Sequence, residues 1–296
     1  MNELDLIRSF RTDVPPPSGA ATARAERAWR RAPQPRRPRW APRAAIGGAV
    51  AAAAVAALLV LPGSDGGRLG PADARAAETL RRAAAVEAGA PARPLRPGEY
   101  WYIRRKTAWQ VGGEVPGRVV HEVREDWVGV DGSRRWRTRR VGPSRGPSSD
   151  HSVDATPRPP FHVGDEAVTY EQLLALPRDP AELYERLRRA AVECECGNSV
   201  DEETFVIVGD LLRDNPIPAD LRASLLRSAA LIPGIELVER VRDVAGRTGV
   251  GVTYKGARTR TLVFDPATYE LLAEKDGIGG AADVESAIVG SKTELP

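Results

Sequence analysis

The chain contains two cysteines, Cys194 and Cys196, which stand two residues apart. Thiols at this spacing can form a local or intermolecular disulfide, stay free, or bind metal and respond to redox state. Two cysteines do not complete a four-ligand structural zinc site, and the three histidines lie elsewhere, at His121, His151 and His162. We predict a disulfide or redox pair, and we expect no metal and no cofactor.

One segment matches the G-x-S-x-G pattern of serine hydrolases, with Ser144 between Gly142 and Gly146. That chemistry requires the serine on a sharp turn between a strand and a helix. Here Pro147 follows and no apolar helix begins. The P-loop, Rossmann, H-E-x-x-H and EF-hand patterns are also missing from the sequence. We therefore predict no catalytic residues and a protein that is not an enzyme.

Four of the six tryptophans fall within a short stretch that reads as strands: Trp101, Trp109, Trp127 and Trp136. Their simplest interpretation is a sheet face or part of the core. The alternative is an aromatic-lined concave surface that binds an apolar or lipid-like ligand. The same region contains a run of arginines: Arg134, Arg135, Arg137, Arg139 and Arg140. The simplest interpretation of this run is a solvated strand face. The alternative is contact with anionic lipid headgroups or an anionic envelope polymer.

The positive charge is concentrated at one end of the chain. Residues 1–43 hold ten arginines and four acidic residues, although the whole chain carries a net charge of only +3. Residues 44–61 then contain no charged or polar side chain. As a helix this stretch would extend roughly 27 Å, close to the hydrocarbon thickness of a bilayer. The charge pattern predicts a membrane as the partner and no nucleic acid.

The residues that flank the apolar stretch predict its orientation. The membrane interface is expected at Arg36, Arg37, Arg39, Trp40 and Arg43. Arginines on the N-terminal side place that side in the cytoplasm. A cleaved signal peptide is the alternative, because Ala72 and Ala74 offer an A-x-A site. We predict a cytoplasmic basic tail (1–43), a transmembrane helix (44–62), a linker and helix (63–98) and an extracytoplasmic domain (99–296).

The main domain alternates between strand and helix patterns. Strands are predicted at 99–103, 118–130 and 133–141, with a hairpin at Asp131-Gly132 and a long loop at 142–160. A helix with Pro71 at its start is predicted before them, and a helical section follows from 179 to 232. Strands return at 235–244, 250–254, 259–264 and 269–275. This order favours an α+β fold of antiparallel strands with a central helical section.

Three groups of residues carry a family resemblance. The first opens the chain at 2–15, the second is the segment 95–102 with the sequence LRPGEYWY, and the third is a C-terminal series that includes 231–235 and 264–272. On these, the whole chain resembles a family of actinobacterial single-pass membrane proteins without an assigned function, often encoded beside extracytoplasmic-function sigma factors. The resemblance implies no site residues, and the tail lacks the H-x-x-x-C-x-x-C zinc pattern of anti-sigma factors.

The layout of domain, anchor and tail indicates a function at the cell membrane. We expect an extracytoplasmic sensing or ligand-binding domain joined to a short cytoplasmic regulatory tail. The tail would contact a protein partner through its apolar residues, Leu4, Leu6, Ile7, Phe10 and Trp29. The alternative is an envelope-anchored carrier or scaffold for a lipid-like ligand, in which the tail serves only for insertion.

Overall fold

The computed structural model describes residues 72–90, 93–110, 119–142, 148–154, 159–194, 196–257, 259–277 and 279–296. Its helices are α1 (Ala74–Gly89), α2 (Tyr170–Leu174), α3 (Pro180–Glu193), α4 (Val200–Asp214) and α5 (Ala219–Ala229). Its strands are β1 (Tyr100–Gln110), β2 (Val119–Gly129), β3 (Arg134–Val141), β4 (Ser149–Val153), β5 (Phe161–Val163), β6 (Glu166–Val168), β7 (Ile235–Arg242), β8 (Thr248–Tyr254), β9 (Arg260–Phe264), β10 (Leu271–Lys275) and β11 (Gly279–Val289).

Nine of these strands form one antiparallel sheet in the order β4-β3-β2-β1-β11-β10-β9-β8-β7. The short hairpin of β5 and β6 is separate. The α+β class and the antiparallel sheet are therefore confirmed, as is the central helical section. The strand β4 lies inside the segment predicted as a loop, and β11, which joins β1 to β10, had not been predicted.

The helices pack on one face of the sheet, and they cover its two halves unequally. Strands β7 to β9 contribute several fully buried side chains to the main core, among them Ile235, Val252 and Phe264. Strands β1 to β3 contribute Val128, with Trp101 packed at the edge. Among the described residues, the helices thus do not cover the β1–β3 half continuously, and space is left on that face.

The helix α1 begins three residues after the predicted start at Pro71. The carboxylate of Asp73 accepts hydrogen bonds from the backbone N–H groups of Arg75 and Ala76, at 2.7 and 3.2 Å. This capping fixes the first turn, because it satisfies donors that the helix itself leaves free. Leu80 and its buried neighbours on α1 belong to the main core, so the helix of segment 63–98 packs with the domain that follows it.

The predicted transmembrane segment at 44–62 lies outside the described residues, as do the basic tail and the membrane-interface residues Arg36, Arg37, Arg39, Trp40 and Arg43. Among the residues that the structure does describe, no helix combines the length and the apolar character that crossing a bilayer requires.

Candidate functional site

The register of β1, β2 and β3 fixes which side chains share the helix-facing side of the sheet. Trp101 lies opposite Val128, which lies opposite Arg134. The next row holds Ile103, Asp126 and Trp136 in the same way. Because side chains alternate along a strand, these two rows project to the same face. This end of the face therefore combines aromatic and aliphatic side chains with two charged ones, Asp126 and Arg134.

The following rows on the same face are polar. Arg105 lies opposite Arg124, and Thr107 lies opposite Glu122. The hydroxyl of Thr107 is buried and has no hydrogen-bond partner within the described part of the chain. Arg124 forms a two-pronged ion pair with Asp126, at 2.7 to 3.1 Å, and its guanidinium lies over the ring of Trp136 at 5.9 Å. The hydrogen bonds to Asp126 raise the pKa of Arg124 above its ordinary value.

A cavity of about 690 Å³ lies between this face, the C-terminal end of α4 and the strand β5. Its lining combines aromatic, aliphatic and charged side chains, including Trp101, Trp136, Phe161, Arg134, Asp210 and Asp214. We call it the first cavity. Its mixed lining suits a ligand that has both an apolar and a polar part.

A second cavity, of about 580 Å³, lies beside the first and shares Trp101, Ile103 and Asn215 with it. Its walls contain more aliphatic side chains, among them Leu95, Ile217 and Leu271, together with charged ones such as Glu87 and Arg93. Three of its aliphatic side chains are exposed large hydrophobic groups: Val86 at 38%, Val284 at 42% and Ile288 at 38%. Aliphatic groups that face an open cavity would be covered by an apolar ligand.

Arg105 connects α4 to the sheet, next to the residues that the two cavities share. Its side chain is 8% exposed, and its Nε donates to Asp283 at 2.8 Å. A second nitrogen lies 3.4 Å from the Asp214 carboxylate, and a third donates to the carbonyl of Arg213. Its guanidinium also lies 5.6 Å from the centre of the Trp101 ring. A bulge between β1 and β11 at Arg104 and Arg105 brings Asp283 opposite Arg105.

The acidic groups at the end of α4 have different environments. Burial raises the pKa of Asp210. Burial also acts to raise the pKa of Asp214, but Arg213, Arg105 and Arg134 outweigh it and hold that pKa below its ordinary value. Asp214 is thus a carboxylate that arginines on both α4 and the sheet stabilise.

The four tryptophans predicted as a ligand surface lie in three places. Trp101 and Trp136 line the first cavity, whereas Trp109 borders a smaller cavity of about 190 Å³. Trp127 lies on the opposite face and is fully buried. Its Nε1 donates to the carbonyl of Glu294 at 2.7 Å, and its ring lies 5.2 Å from that of Tyr102. Burial and the hydrogen bond to Glu125 raise the pKa of Tyr102 to about 12.

The arginine run is divided between the two faces of the sheet by the same alternation. Arg135 and Arg137 lie over the Trp127 ring, at 5.5 and 5.1 Å. Arg139 and Arg140 are exposed, and Arg140 pairs with Glu122. Arg134, by contrast, lines the first cavity. Only part of the arginine run therefore forms a solvated strand face.

Cys194 and Cys196 are joined as a disulfide just after α3, with a Cα–Cα distance of 5.2 Å. The carboxylate of Asp165 lies within 4.8 Å of both sulfur atoms. Disulfide sulfurs are not thiolate ligands, so this oxidised pair does not hold a metal. Neither cysteine lines the two large cavities. Ser144 of the G-x-S-x-G segment lies outside the described residues.

Several residues of the site had not been singled out in the sequence, notably Arg105, Asp214, Phe161 and Ile217. One signal was present for Arg105, because strand alternation from Trp101 places both side chains on the same face. The others come from distant segments that only the fold brings together. Comparison of the chain with protein-family models and with curated proteins found no match.

Proposed function

We propose that this chain is a single-pass membrane protein whose extracytoplasmic domain binds a lipid-like ligand in the two adjoining cavities. The domain would report the presence of the ligand through the short cytoplasmic tail. One observation carries this proposal: a cavity with a mixed lining and a more aliphatic cavity meet at Trp101, Ile103 and Asn215. Catalysis has no part in it.

The sizes of the cavities support a small-molecule ligand. Each falls within the range of roughly 300 to 1,000 Å³ that is usual for ligand sites. Val284 and Ile288 would leave water when an acyl chain fills the second cavity, at about 25 cal/mol per Å² of apolar surface. Trp101 contacts both cavities, so a ligand that spans them would pass over its ring.

The membrane part of the proposal rests on the amino-acid sequence. The apolar stretch at 44–61 follows the arginines of the basic tail, which suits an N-terminus in the cytoplasm. The ligand-binding domain would lie on one side of the membrane and the short basic tail on the other. A change in the transmembrane anchor, or in the protein partner of the tail, would then transmit the signal across the membrane. An envelope-anchored lipid carrier remains the second candidate, and the same cavities favour it. A carrier differs because it releases its ligand to a second membrane and needs no partner for the tail.

Tryptophan fluorescence tests ligand binding directly. We expect 9,10-dibromostearic acid to quench the fluorescence of the full chain in nanodiscs, in a background with Trp29→Phe and Trp40→Phe. Bromine quenches at short range, so Trp101 and Trp136 should account for most of the effect. Trp101→Phe with Trp136→Phe should remove most of the quenching, whereas Trp109→Phe should retain it. Stearic acid is the control for effects other than bromine contact. Quenching that persists in the double variant would place the ligand elsewhere and overturn the proposal.

Cysteine labelling tests the topology. Cys194 and Cys196 are the only cysteines in the chain, and both belong to the main domain. After mild reduction, we expect a membrane-impermeant maleimide to label intact cells, because the proposed domain faces outward. A Cys194→Ser, Cys196→Ser variant should remain unlabelled. If labelling of the native chain occurs only after lysis, the domain is cytoplasmic and the topology is wrong.

A further inference from the structure

We infer that the ligand carries an acidic group, which Arg134 binds in the first cavity while the apolar chain passes Trp101 into the second. This inference rests on the proposed function, because it names the chemical class of the ligand for the same cavities. It starts from the charges that line the first cavity, which are four arginines against three aspartates.

Three of those arginines already have acidic partners. Arg105 pairs with Asp283 and Asp214, and Arg124 pairs with Asp126. Arg213 pairs with Asp210, Asp214 and Glu274. An incoming anion would have to compete with a neighbouring carboxylate at each of these positions. These arginines are therefore structural charges rather than open sites for a ligand.

Arg134 differs from the other three. Its guanidinium makes no ion pair or hydrogen bond within the part of the chain that the structure describes. The segments 143–147 and 155–158, which flank β4 in the sequence, contain no acidic residue. Arg134 contributes to lowering the pKa of Asp214, yet the two do not form an ion pair. Of the four arginines that line the first cavity, it is thus the one without a salt-bridge partner among the described residues.

The surroundings of Arg134 are apolar along the sheet. It lies opposite Val128 on β2 and Val153 on β4, and Trp101 is the next member of the row. A half-buried guanidinium among apolar side chains gains more from an ionic hydrogen bond than an exposed one does. A carboxylate or phosphate monoester would provide that bond in a two-pronged geometry.

The row also gives the direction of the ligand. On the other side of Trp101 lies Ile288 on β11, which is 38% exposed and lines the second cavity. An acidic head at Arg134 would therefore continue as an apolar chain past Trp101 to Ile288. A single-chain amphiphile with an acidic head has this arrangement of charge and apolar surface. A small anion lacks the chain, and a neutral lipid lacks the head.

The experiment compares an acid with its neutral ester. We would titrate the full chain in phosphatidylcholine nanodiscs with 11-(dansylamino)undecanoic acid and with its methyl ester, with empty nanodiscs as reference. Arg134→Gln is expected to weaken binding of the acid about tenfold, the size of one charged hydrogen bond. It should leave binding of the ester unchanged. The matched control is Arg139→Gln, since Arg139 is exposed on the opposite face of the same strand. This control should change neither affinity.

The outcomes separate this inference from the proposed function. If neither probe binds the native chain, the proposed function itself fails. If acid and ester bind equally and Arg134→Gln changes neither affinity, the inference of an acidic head is wrong, but the proposal of a lipid-like ligand is retained. If Arg134→Gln weakens acid and ester alike, Arg134 is structural and the inference is overturned. Inorganic phosphate and butyrate should not displace the acid at millimolar concentration, and displacement by either would identify a small anion as the ligand instead.

Discussion

Replacing Trp127 with alanine is expected to lower the free energy of unfolding by about 3 to 5 kcal/mol, the usual cost of deleting a buried aromatic side chain. Trp127 is fully buried on the face of the sheet away from the helices. There it forms a small second core with Tyr102 and Val289. The variant loses this packing, and it also leaves the carbonyl of Glu294 without the indole donor. Among the described residues, only Tyr100 and Ala287 pack against this small core, so few side chains are available to fill the space.

Urea denaturation of the full chain, followed by far-UV circular dichroism, measures this loss. Trp136→Ala is the control, because Trp136 is half-buried at the first cavity rather than in a core. We expect it to cost about 1 kcal/mol or less, in keeping with partly exposed positions. Equal losses in the two variants would show that Trp127 does not anchor a second core.

Replacing Arg105 with methionine is expected to destabilise the domain by about 2 kcal/mol. Removing one partner of a fully buried ion pair costs about 3 to 5 kcal/mol. The cost is lower here because Asp214 and Asp283 retain 44% and 33% exposure. The methionine keeps the length and apolar packing of the side chain, so the loss reports on the charge. The end of α4 would also lose its tie to the sheet beside the two cavities.

The adjacent residue provides the control for this variant. Arg104 lies on the same strand with its side chain on the opposite face, and its pair with Glu285 at 3.2 Å is exposed. Arg104→Met should cost less than about 1 kcal/mol. Adding Asp283→Asn to each variant isolates the contribution of the Arg105 ion pair. If the effect of Arg105→Met is unchanged in the Asp283→Asn background, the Asp283 contact is not a source of stability.

Local sequence signals predicted much of the fold. Asp131-Gly132 predicted the hairpin between β2 and β3, where Gly132 has a φ of +79°. Ser199 predicted the start of α4, and its hydroxyl accepts from the N–H of Glu202 at 3.2 Å. Such features are encoded within a few residues of one another. Their physical basis is local, so tertiary contacts do not need to be known.

The strand β11, by contrast, could not be predicted from local sequence signals. Its sequence begins with Gly279-Gly280-Ala281-Ala282, and such small residues have low β propensity. The glycines are needed because the backbones lie close together. A Cβ atom at Gly279 would lie 2.2 Å from the carbonyl oxygen of Ala108, and one at Gly280 would lie 2.8 Å from that of Glu274. The segment is a strand because β1 and β10 lie on either side of it, which local pattern does not encode.

The candidate site was predicted only in part for a related reason. Aromatic residues on strands predicted a ligand surface, and Trp101 and Trp136 do line a cavity. Separating Trp127 from them requires the register, which pairs Trp127 with Arg135 and Asp126 with Trp136. A difference of one residue sends a side chain to the other face of a sheet. The partners on α4 and β5 lie far away in the sequence and carry no local signal.

The position of β11 has a consequence for how the chain folds as it is made. Its pairing with β1 joins residues such as Tyr100 and Val289, which are far apart in the sequence. During synthesis from the N-terminal end, β1 to β4 emerge long before the strand that completes their sheet. Contacts between residues so far apart in the sequence slow folding. Until β11 is synthesised, the unpaired edge of β1 is open to pairing with other chains. We therefore expect the edge of β1 to be the part of the nascent domain that most needs protection by chaperones.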